Sequence, residues 1–458
     1  MPNYELVLFP TGTKYLELDT VLTSPSNCIL LNPIGGGGPT ITFELIPTGS
    51  TSDLGTCFYL TGTTGKTVYI DWGDSSTDST ISLTGSSQQM THAYASGGTY
   101  TVTITGDTNY LSAFFLNSIS TIGFSLGITA LPSNITTWDI YDYSGNSAFT
   151  GAISSFPSGL VRLYHIETSM QLTGSIENFG SSLANLIMFN GSSTLTGSIA
   201  NLASTTALTS IDLRYHTSLT GSIETFLTRS TNLTSMYIDG CTSMSGNVTS
   251  WPSSLNSAIL LNMSGVTASV NGLGGTQLHL ALKNLGTCTG SIANLPSGTY
   301  SIDLADIGTS ITGSVNSLPS SVREVTLACN GAGFTCSCGG TFPTYLYSLK
   351  LKYVPISGDI GALPDLLILW IEENSSTLSY TGGSTWKSLM NDVKILPATS
   401  YGLTSTQVDN ILIDLNTYVT TWQTPKTINL AGNNAARTSA SNAAVTSLQG
   451  KEVTVTTN

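Results

Sequence analysis

The chain has 458 residues, with 14 Lys and Arg against 27 Asp and Glu, for a net charge of −13. Charged residues are 9% of the total, against about 25% in a typical soluble domain. This balance excludes the basic footprint of a nucleic-acid binder and the Lys/Arg cluster needed to dock on anionic membrane; the length allows roughly two to four domains.

Residues 1–40 hold two apolar, strand-like runs, at 6–9 (LVLF) and 28–31 (CILL), outside any repeat. The glycine run 35–38 follows; Pro39 comes next and no Lys accompanies it, so it reads as a joint rather than a phosphate cradle. There is no basic segment followed by an apolar run, as a secretory signal needs. Nor is there a stretch of about 18 apolar residues, as a membrane span needs. With Met1 in place, the expectation is a chain that stays in a cell or leaves by lysis as part of a virus particle. Residues 1–40 are expected to anchor it, adding a strand to a partner's sheet edge.

Residues 41–108 carry alternating strands at 41–45 and 58–60. Three blocks follow in order: Trp72-Gly73-Asp74, His92-x-Tyr94 and Gly98-Thr99-Tyr100-Thr101-Val102-Thr103. They resemble the polycystic-kidney-disease (PKD) domain. That resemblance implies an immunoglobulin-like β-sandwich used as a spacer or adhesive module. Asp71, Asp74 and Asp78 are weak candidate calcium ligands, set against plain turn-forming and strand-pairing acids. His92 reads as a structural hydrogen-bonding group.

From 109 to 400 a repeat dominates. The phrase L-T-G-S-I and its variants place glycines at 151, 174, 197, 221 and 246, steps of 23, 23, 24 and 25 residues, and again at 290, 313 and 358. Ala268 and Cys336 fill the two turns that lack the glycine. An L-x-x-L-x-L alternation follows, as at Leu208, Ile211 and Leu213, or Leu233, Met236 and Ile238. A period of about 20–29 residues with this alternation is the leucine-rich-repeat pattern. One turn cannot bury its own apolar face, so turns stack into a solenoid. The glycine is expected to take positive φ, neighbouring Thr and Ser to form hydroxyl ladders, and the L/F/W-P-S returns to be extended or 3₁₀. The stretch 110–400 resembles leucine-rich repeats of plant receptor ectodomains, Bacteroidetes and their phages. It departs from the plant consensus in lacking the Asn ladder and in residues inserted before L-T-G-S-I.

Residues 401–458 change period. Thr404 reads as a helix N-cap, with Val408, Ile411, Leu412 and Leu415 on one helical face. Strand 426–430, a turn at 431–434, a helix near 438–449 and strand 453–456 complete an α/β cap, which solenoid ends need. This segment resembles the close of many phage and Bacteroidetes repeat proteins. The fold class expected is mainly β: a PKD/Ig-like sandwich (41–108), a leucine-rich-repeat solenoid (109–400) and an α/β cap (401–458).

Seven cysteines do not form a disulfide framework in a chain this long. Cys329 could bridge Cys336 or Cys338 in an oxidising medium; the group lacks the partners of a zinc site. No G-x-S-x-G, H-E-x-x-H or Walker loop occurs. The four histidines, His92, His165, His216 and His279, fall in separate turns, and paired carboxylates are scarce. No enzyme activity, metal or cofactor is expected. Candidate binding residues on the outward side of the strands are Asp212, Arg214, Tyr237 and Asp239, with Tyr215 and His216 after one strand; solvated ladder residues are the plain alternative.

The function expected is a structural or adhesive phage virion protein, a capsid decoration or fibre. It would dock on capsid or other virion proteins through 1–40 and present its repeats to a host glycan or protein, with homo-oligomers among the expected assemblies. No nucleic-acid partner or membrane insertion is expected. The alternatives are a bacterial cell-surface or secreted adhesin and a polysaccharide-degrading enzyme.

Overall fold

The computed structural model describes residues 5–8, 14–17, 38–47, 58–118, 122–128, 131–142, 148–166, 170–189, 194–202, 206–274, 278–382, 386 and 389–458. The chain divides into two units, Met1–Thr173 and Gly174–Asn458. Within residues 1–40, Glu5–Leu8 and Lys14–Glu17 pair as an antiparallel hairpin. The run 28–31, with Cys28, lies outside the described residues, as does Cys57.

The first unit holds a β-sandwich. Ile41–Pro47 alternates buried and more exposed positions, the period of a half-buried strand. It pairs antiparallel with Tyr100–Gly106 and Ile122–Ile128, and the sheet continues through Thr67–Asp71 to Ser79–Ser82. In the facing sheet, Phe58–Gly62 pairs antiparallel with Gln88–Met90 and Leu111–Ser118. Phe43 joins the two sheets, its ring 5.2 Å from Phe58 and 5.7 Å from Phe114.

Both sheets run past residue 108. Leu111–Ser118 pairs antiparallel with the sandwich strand and parallel with Thr137–Asp142. Ile122–Ile128 likewise pairs antiparallel with Ile41–Pro47 and parallel with Ala148–Ala152. Two strands therefore convert an antiparallel sandwich into the parallel ladders of the repeats. The core is shared too: Trp138 stacks on Phe114 at 4.8 Å and meets Phe156 edge-on at 6.3 Å.

The second unit is a leucine-rich-repeat-like solenoid. Its long parallel sheet runs from Asn185–Phe189 through Ser210–Arg214, Ser235–Asp239 and onward in sequence order. Leu208, Ile211, Leu213, Leu233, Met236 and Ile238 are fully buried, each worth about 1.5–3 kcal/mol on burial. The intervening residues of each strand face outward.

Every letter of L-T-G-S-I has its own physical role. The first residue is buried, as at Leu195, Leu219 and Ile311. The Thr hydroxyl donates to the glycine carbonyl of the preceding turn: Thr196 to Gly174 at 3.2 Å, Thr220 to Gly197 at 3.1 Å and Thr312 to Gly290 at 3.3 Å. The ladder is thus hydroxyl to backbone, rather than hydroxyl to hydroxyl. The glycine takes positive φ, 98° at Gly197 and 101° at Gly221. A Cβ on Gly221 would overlap the Ser198 hydroxyl of the turn before. The Ser caps the return, Ser175 accepting from Glu177 N–H and Ser314 from Asn316 N–H. The last residue, Ile176, Ile199 or Val315, is buried and opens a 3₁₀ turn.

The strand register puts Ala268 and Cys336 in the glycine slot: Gly246 lies opposite Val266, and Gly313 opposite Phe334. Neither residue has positive φ, and both side chains are buried. Those two turns keep a regular strand and fill the inside instead. The L/F/W-P-S returns close on the proline carbonyl, which accepts from Leu255 N–H at Pro252 (3.1 Å) and from Val322 N–H at Pro319 (3.1 Å). Among the described residues, α1 (Ile223–Arg229) replaces the 3₁₀ return in one turn.

The closing segment extends the same sheet. Thr421–Leu430 and Thr454–Thr457 pair parallel with the strands before them. The first is longer than the 426–430 expected from sequence, because a register irregularity between Met390 and Asp392 accommodates the stretch around Pro425 that reads as a strand break. Helix α2 (Ser405–Tyr418) starts with a capping box between Thr404 and Gln407, and α3 spans Asn442–Gly450. Val408, Ile411, Leu412, Leu415 and Leu448 are all fully buried. Asp409 ties the helices together, accepting from Thr438 N–H at 3.1 Å and Ser441 Oγ at 2.5 Å.

Candidate functional site

The outward face of the second unit's sheet gathers most of the residues singled out from sequence. Arg214 and Asp212 lie two apart on one strand, so they share a face. Arg214 donates from Nε to Asp212 Oδ1 at 2.8 Å and from Nη2 to Oδ2 at 2.7 Å. Its guanidinium lies 3.9 Å from the ring centre of Phe189 on one neighbouring strand and 3.9 Å from that of Tyr237 on the other. A planar cation between two rings, with its fork on a carboxylate, is a fixed arrangement. Burial raises the Asp212 pKa above the ordinary carboxylate value, against the pull of Arg214. Burial likewise raises the Tyr237 hydroxyl, and the Asp239 charge raises that of Tyr215.

The register position that follows Arg214 forms a second row, reached by Asn262 and Asn284 inside longer strands and interrupted at Cys329, which lacks positive φ. Tyr215, Gly240, Asn262, Asn284, Asp306, Tyr353 and Glu373 occupy equivalent positions, and all have positive φ. Gly, Asn and Asp suit this conformation; a bulky Tyr does not. Tyr215 (φ 63°) is 49% exposed, and its ring lies against Gly240, where a Cβ would stand 2.6 Å from Tyr215 Cδ1. Behind it runs a short amide ladder absent from the sequence reading: Asn284 donates to Asn262 Oδ1 and Asn262 to Asp239 Oδ1, both at 2.7 Å.

Asp212, Arg214, Tyr215 and Tyr237 are therefore brought together. Asp239 sits just below them, 5% exposed, as the end of the amide ladder. His216 is fully buried, with Nε2 3.4 Å from the Met188 carbonyl. Its ring belongs to the core, because the chain turns inward after the Tyr215 corner. Sequence reasoning missed Phe189, Asn262 and Asn284. The signal was available: each occupies a place in the period that matches Arg214 or Tyr215.

A second patch on the same face also escaped the sequence reading. Lys350 and Lys352 alternate with buried Leu349 and Leu351 on Ser348–Lys352. Next to them, Trp370 lies with Lys350 Nζ 4.2 Å and Lys394 Nζ 5.2 Å from its ring centre. Lys394 pairs with Glu372 at 2.8 Å, and Trp370 Nε1 donates to Asp392 Oδ2 at 2.6 Å. A hollow of about 150 Å³ opens beside them, over Thr326 and Ala328.

In the first unit, the blocks at Trp72, His92 and Gly98 converge, the Tyr94 and Tyr100 rings stacking at 4.1 Å. Trp72 stacks on His92 at 4.6 Å, His92 Nε2 lies 2.8 Å from Asp74 Oδ2, and Tyr94 OH donates to the Trp72 carbonyl at 3.0 Å. Burial works to raise the Asp74 pKa, but hydrogen bonds from Ser76 and His92 outweigh it and hold the group at about 2. Asp71 accepts from Gly73 N–H at 2.8 Å. Asp71 and Asp74 thus serve local turns. A buried Asp139 repeats the Asp–Arg theme: Arg162 donates to it at 3.0 Å, while burial pushes its pKa up to about 6.

Among the described residues, no group of three His, Cys, Asp or Glu could hold a metal ion. Cys241, Cys288, Cys329, Cys336 and Cys338 are free and buried, so the bridge from Cys329 to Cys336 or Cys338 is not formed. Burial pushes the Cys336 and Cys338 thiols up to about 12, which leaves them inert at neutral pH. No described helix is long and apolar enough to cross a membrane.

No family model and no curated protein matches the sequence. Among solved structures, the chain is similar to the plant peptide hormone receptor RGFR1 in complex with RGF2, at 15% identity and a TM-score of 0.37. The match covers 73% of this chain, which spans 62% of the length of that one.

Proposed function

We propose that this is a non-enzymatic surface protein whose solenoid sheet is a binding face, and that it is a phage virion component, a capsid decoration or fibre. The observation that carries the binding reading is the Arg214 guanidinium held between Phe189 and Tyr237 and forked onto Asp212. Prearranged aromatic and Arg side chains are the usual anchors of recognition surfaces. Exposed Tyr215 extends this patch toward solvent.

The virion reading is supported by the L-T-G-S-I repeats, which resemble those of phage and Bacteroidetes proteins, and by a surface solvated by hydroxyls and amides instead of charges. The three blocks packed around Trp72, His92 and Tyr94 support a PKD-like spacer. Residues 1–40 would attach the protein to a capsid or other virion protein, and the outward face would meet a host glycan or protein. The domain scheme proposed is 1–40, 41–108, 109–400 and 401–458.

Mass spectrometry of purified virions tests the location. Finding this chain in particles, and losing it when residues 1–40 are deleted from a solenoid that still folds, supports the reading. Retention of the shortened chain removes the anchoring role, and absence of the full chain from particles points to a bacterial surface adhesin.

A further inference from the structure

We propose that the hollow beside Lys350, Lys352 and Trp370 binds an acidic sugar ring, one whose carboxylate meets the two ammonium groups. The proposal rests on the reading of the sheet as a binding face, and not on the virion location. The site lies strands away in sequence from the Arg214 cluster and has a different chemistry.

The hollow of about 150 Å³ exists because small residues stand on the outward face of two strands. Thr326 and Ala328 occupy positions opposite Lys350 and Lys352 in the register, and Ala305 lies opposite Ala328 on the other side. Leu327, Ala328 and Leu351 give the hollow apolar lining beside the lysines, Trp370 and Glu372. Such a lining suits the C–H face of a pyranose, and the space suits a single ring.

The rim supplies the charge. Among the described residues, Lys283 pairs with Asp303 and Lys394 with Glu372, whereas neither Lys350 nor Lys352 forms a salt bridge. Glu372 also lines the hollow, but its carboxylate is engaged by Lys394; the charges of Glu372 and Glu373 reach Lys352 without a direct ion pair. Lys350 Nζ rests on the Trp370 ring and Lys352 Nζ lies 4.9 Å from the centre of the Tyr353 ring. An ammonium group over an aromatic face keeps N–H donors for a second, anionic partner.

Backbone strain marks the same place. Tyr353 takes φ 64° at a corner that four other turns fill with Gly240, Asn262, Asn284 and Asp306, and that Tyr215 and Glu373 share. An aromatic residue in this conformation is disfavoured, and such outliers gather at binding sites. Here the strained residue is the one that positions Lys352. The geometry also distinguishes a sugar from an extended peptide. A peptide strand binds by adding to a sheet edge through its main chain. Ser348–Lys352 already has a strand on each side, so only side chains are offered.

Calorimetric titration of the full chain with tri-galacturonate and with its methyl ester tests this. The expected result is measurable binding of the acid, weakening as salt rises, and at least a tenfold loss for the uncharged ester. Lys350→Ala with Lys352→Ala should lose the acid at least tenfold, while Arg214→Ala retains it. Tyr353→Asn should raise the melting temperature and weaken binding together, a combination that a purely structural tyrosine would not give. Absence of binding, equal binding of the ester, or binding that survives the double lysine variant overturns the proposal. An Asp-rich peptide that binds the same lysines more tightly than tri-galacturonate also overturns it, in favour of a protein ligand. The Arg214 cluster can fail its own test without touching this one.

Discussion

Arg214 grips Asp212 through two parallel hydrogen bonds, 2.8 and 2.7 Å long, between residues two apart on a single strand. The pair is bidentate and lies on the outward face, with Phe189 and Tyr237 closing over the guanidinium. Arg214→Ala is expected to cost about 1–2 kcal/mol, the sum of a partly exposed charge-assisted pair and its ring contacts. Arg214→Lys keeps the charge but loses the fork and the planar stack, so it should recover less than half of that. Urea unfolding of the three proteins measures this directly; equal stability would mean that the cluster is a solvated surface pair.

The repeat makes an equally specific claim. Gly221→Ala forces a side chain into positive φ and against Ser198, and should cost more than about 1 kcal/mol. Thr220→Val removes the hydroxyl bond to the Gly197 carbonyl while keeping the shape, at a cost of about 1 kcal/mol. Ala268→Gly, in a turn that lacks positive φ, should also destabilise, because it removes a buried methyl. A melting-temperature series orders these three; a neutral Gly221→Ala would remove the stacking account.

The repeat was legible in the sequence because Leu208, Ile211 and Leu213 recur with a fixed period and one physical cause, burial inside a stacked turn. The Arg214 cluster was partly legible, since Asp212, Arg214 and Tyr237 fall between buried residues of strands. Its third dimension was not: Phe189 reaches Arg214 only through the strand register, which local sequence does not state. His216 was misplaced for a related reason. The positive-φ corner at Tyr215 redirects the next side chain inward, and a tyrosine gives no hint of that conformation. Asn262 and Asn284 would have hinted at it, had their period been compared with Gly240.

Two acids in the first unit should give opposite pH limbs. Burial raises the Asp139 pKa to about 6 in the folded protein, above its unfolded value, so the native state holds that proton more tightly. Stability from this group is highest at low pH and falls as pH rises from about 4 to about 6. Asp74 is held at about 2 by Ser76 and His92 despite its burial. Its contribution is present above about pH 4 and is lost as pH drops toward 2. Unfolding curves across this range should show Asp139→Asn flattening the upper limb and Asp74→Asn the lower one. Unchanged curves in both would contradict these protonation states.

The closing segment is expected to be essential to the stack. Leu412 is fully buried on α2, and Leu412→Ala should cost about 2–5 kcal/mol. Thr404→Ala removes the capping box at about 1 kcal/mol. A chain ending at Tyr401 should aggregate or fray inward from its last turns, seen by hydrogen exchange. A monomer with an unchanged melting temperature would identify residues 401–458 as a separate module instead of a cap.

The binding face is tested most directly by an array of bacterial surface glycans and proteins, probed with the full chain and with an Asp212→Ala, Arg214→Ala, Tyr237→Ala variant of confirmed fold. The account predicts that the full chain binds a defined subset of the array and that the variant loses at least tenfold in affinity for it. Binding that is identical in the two proteins, or no binding by either, would contradict the claim that this face recognises a partner.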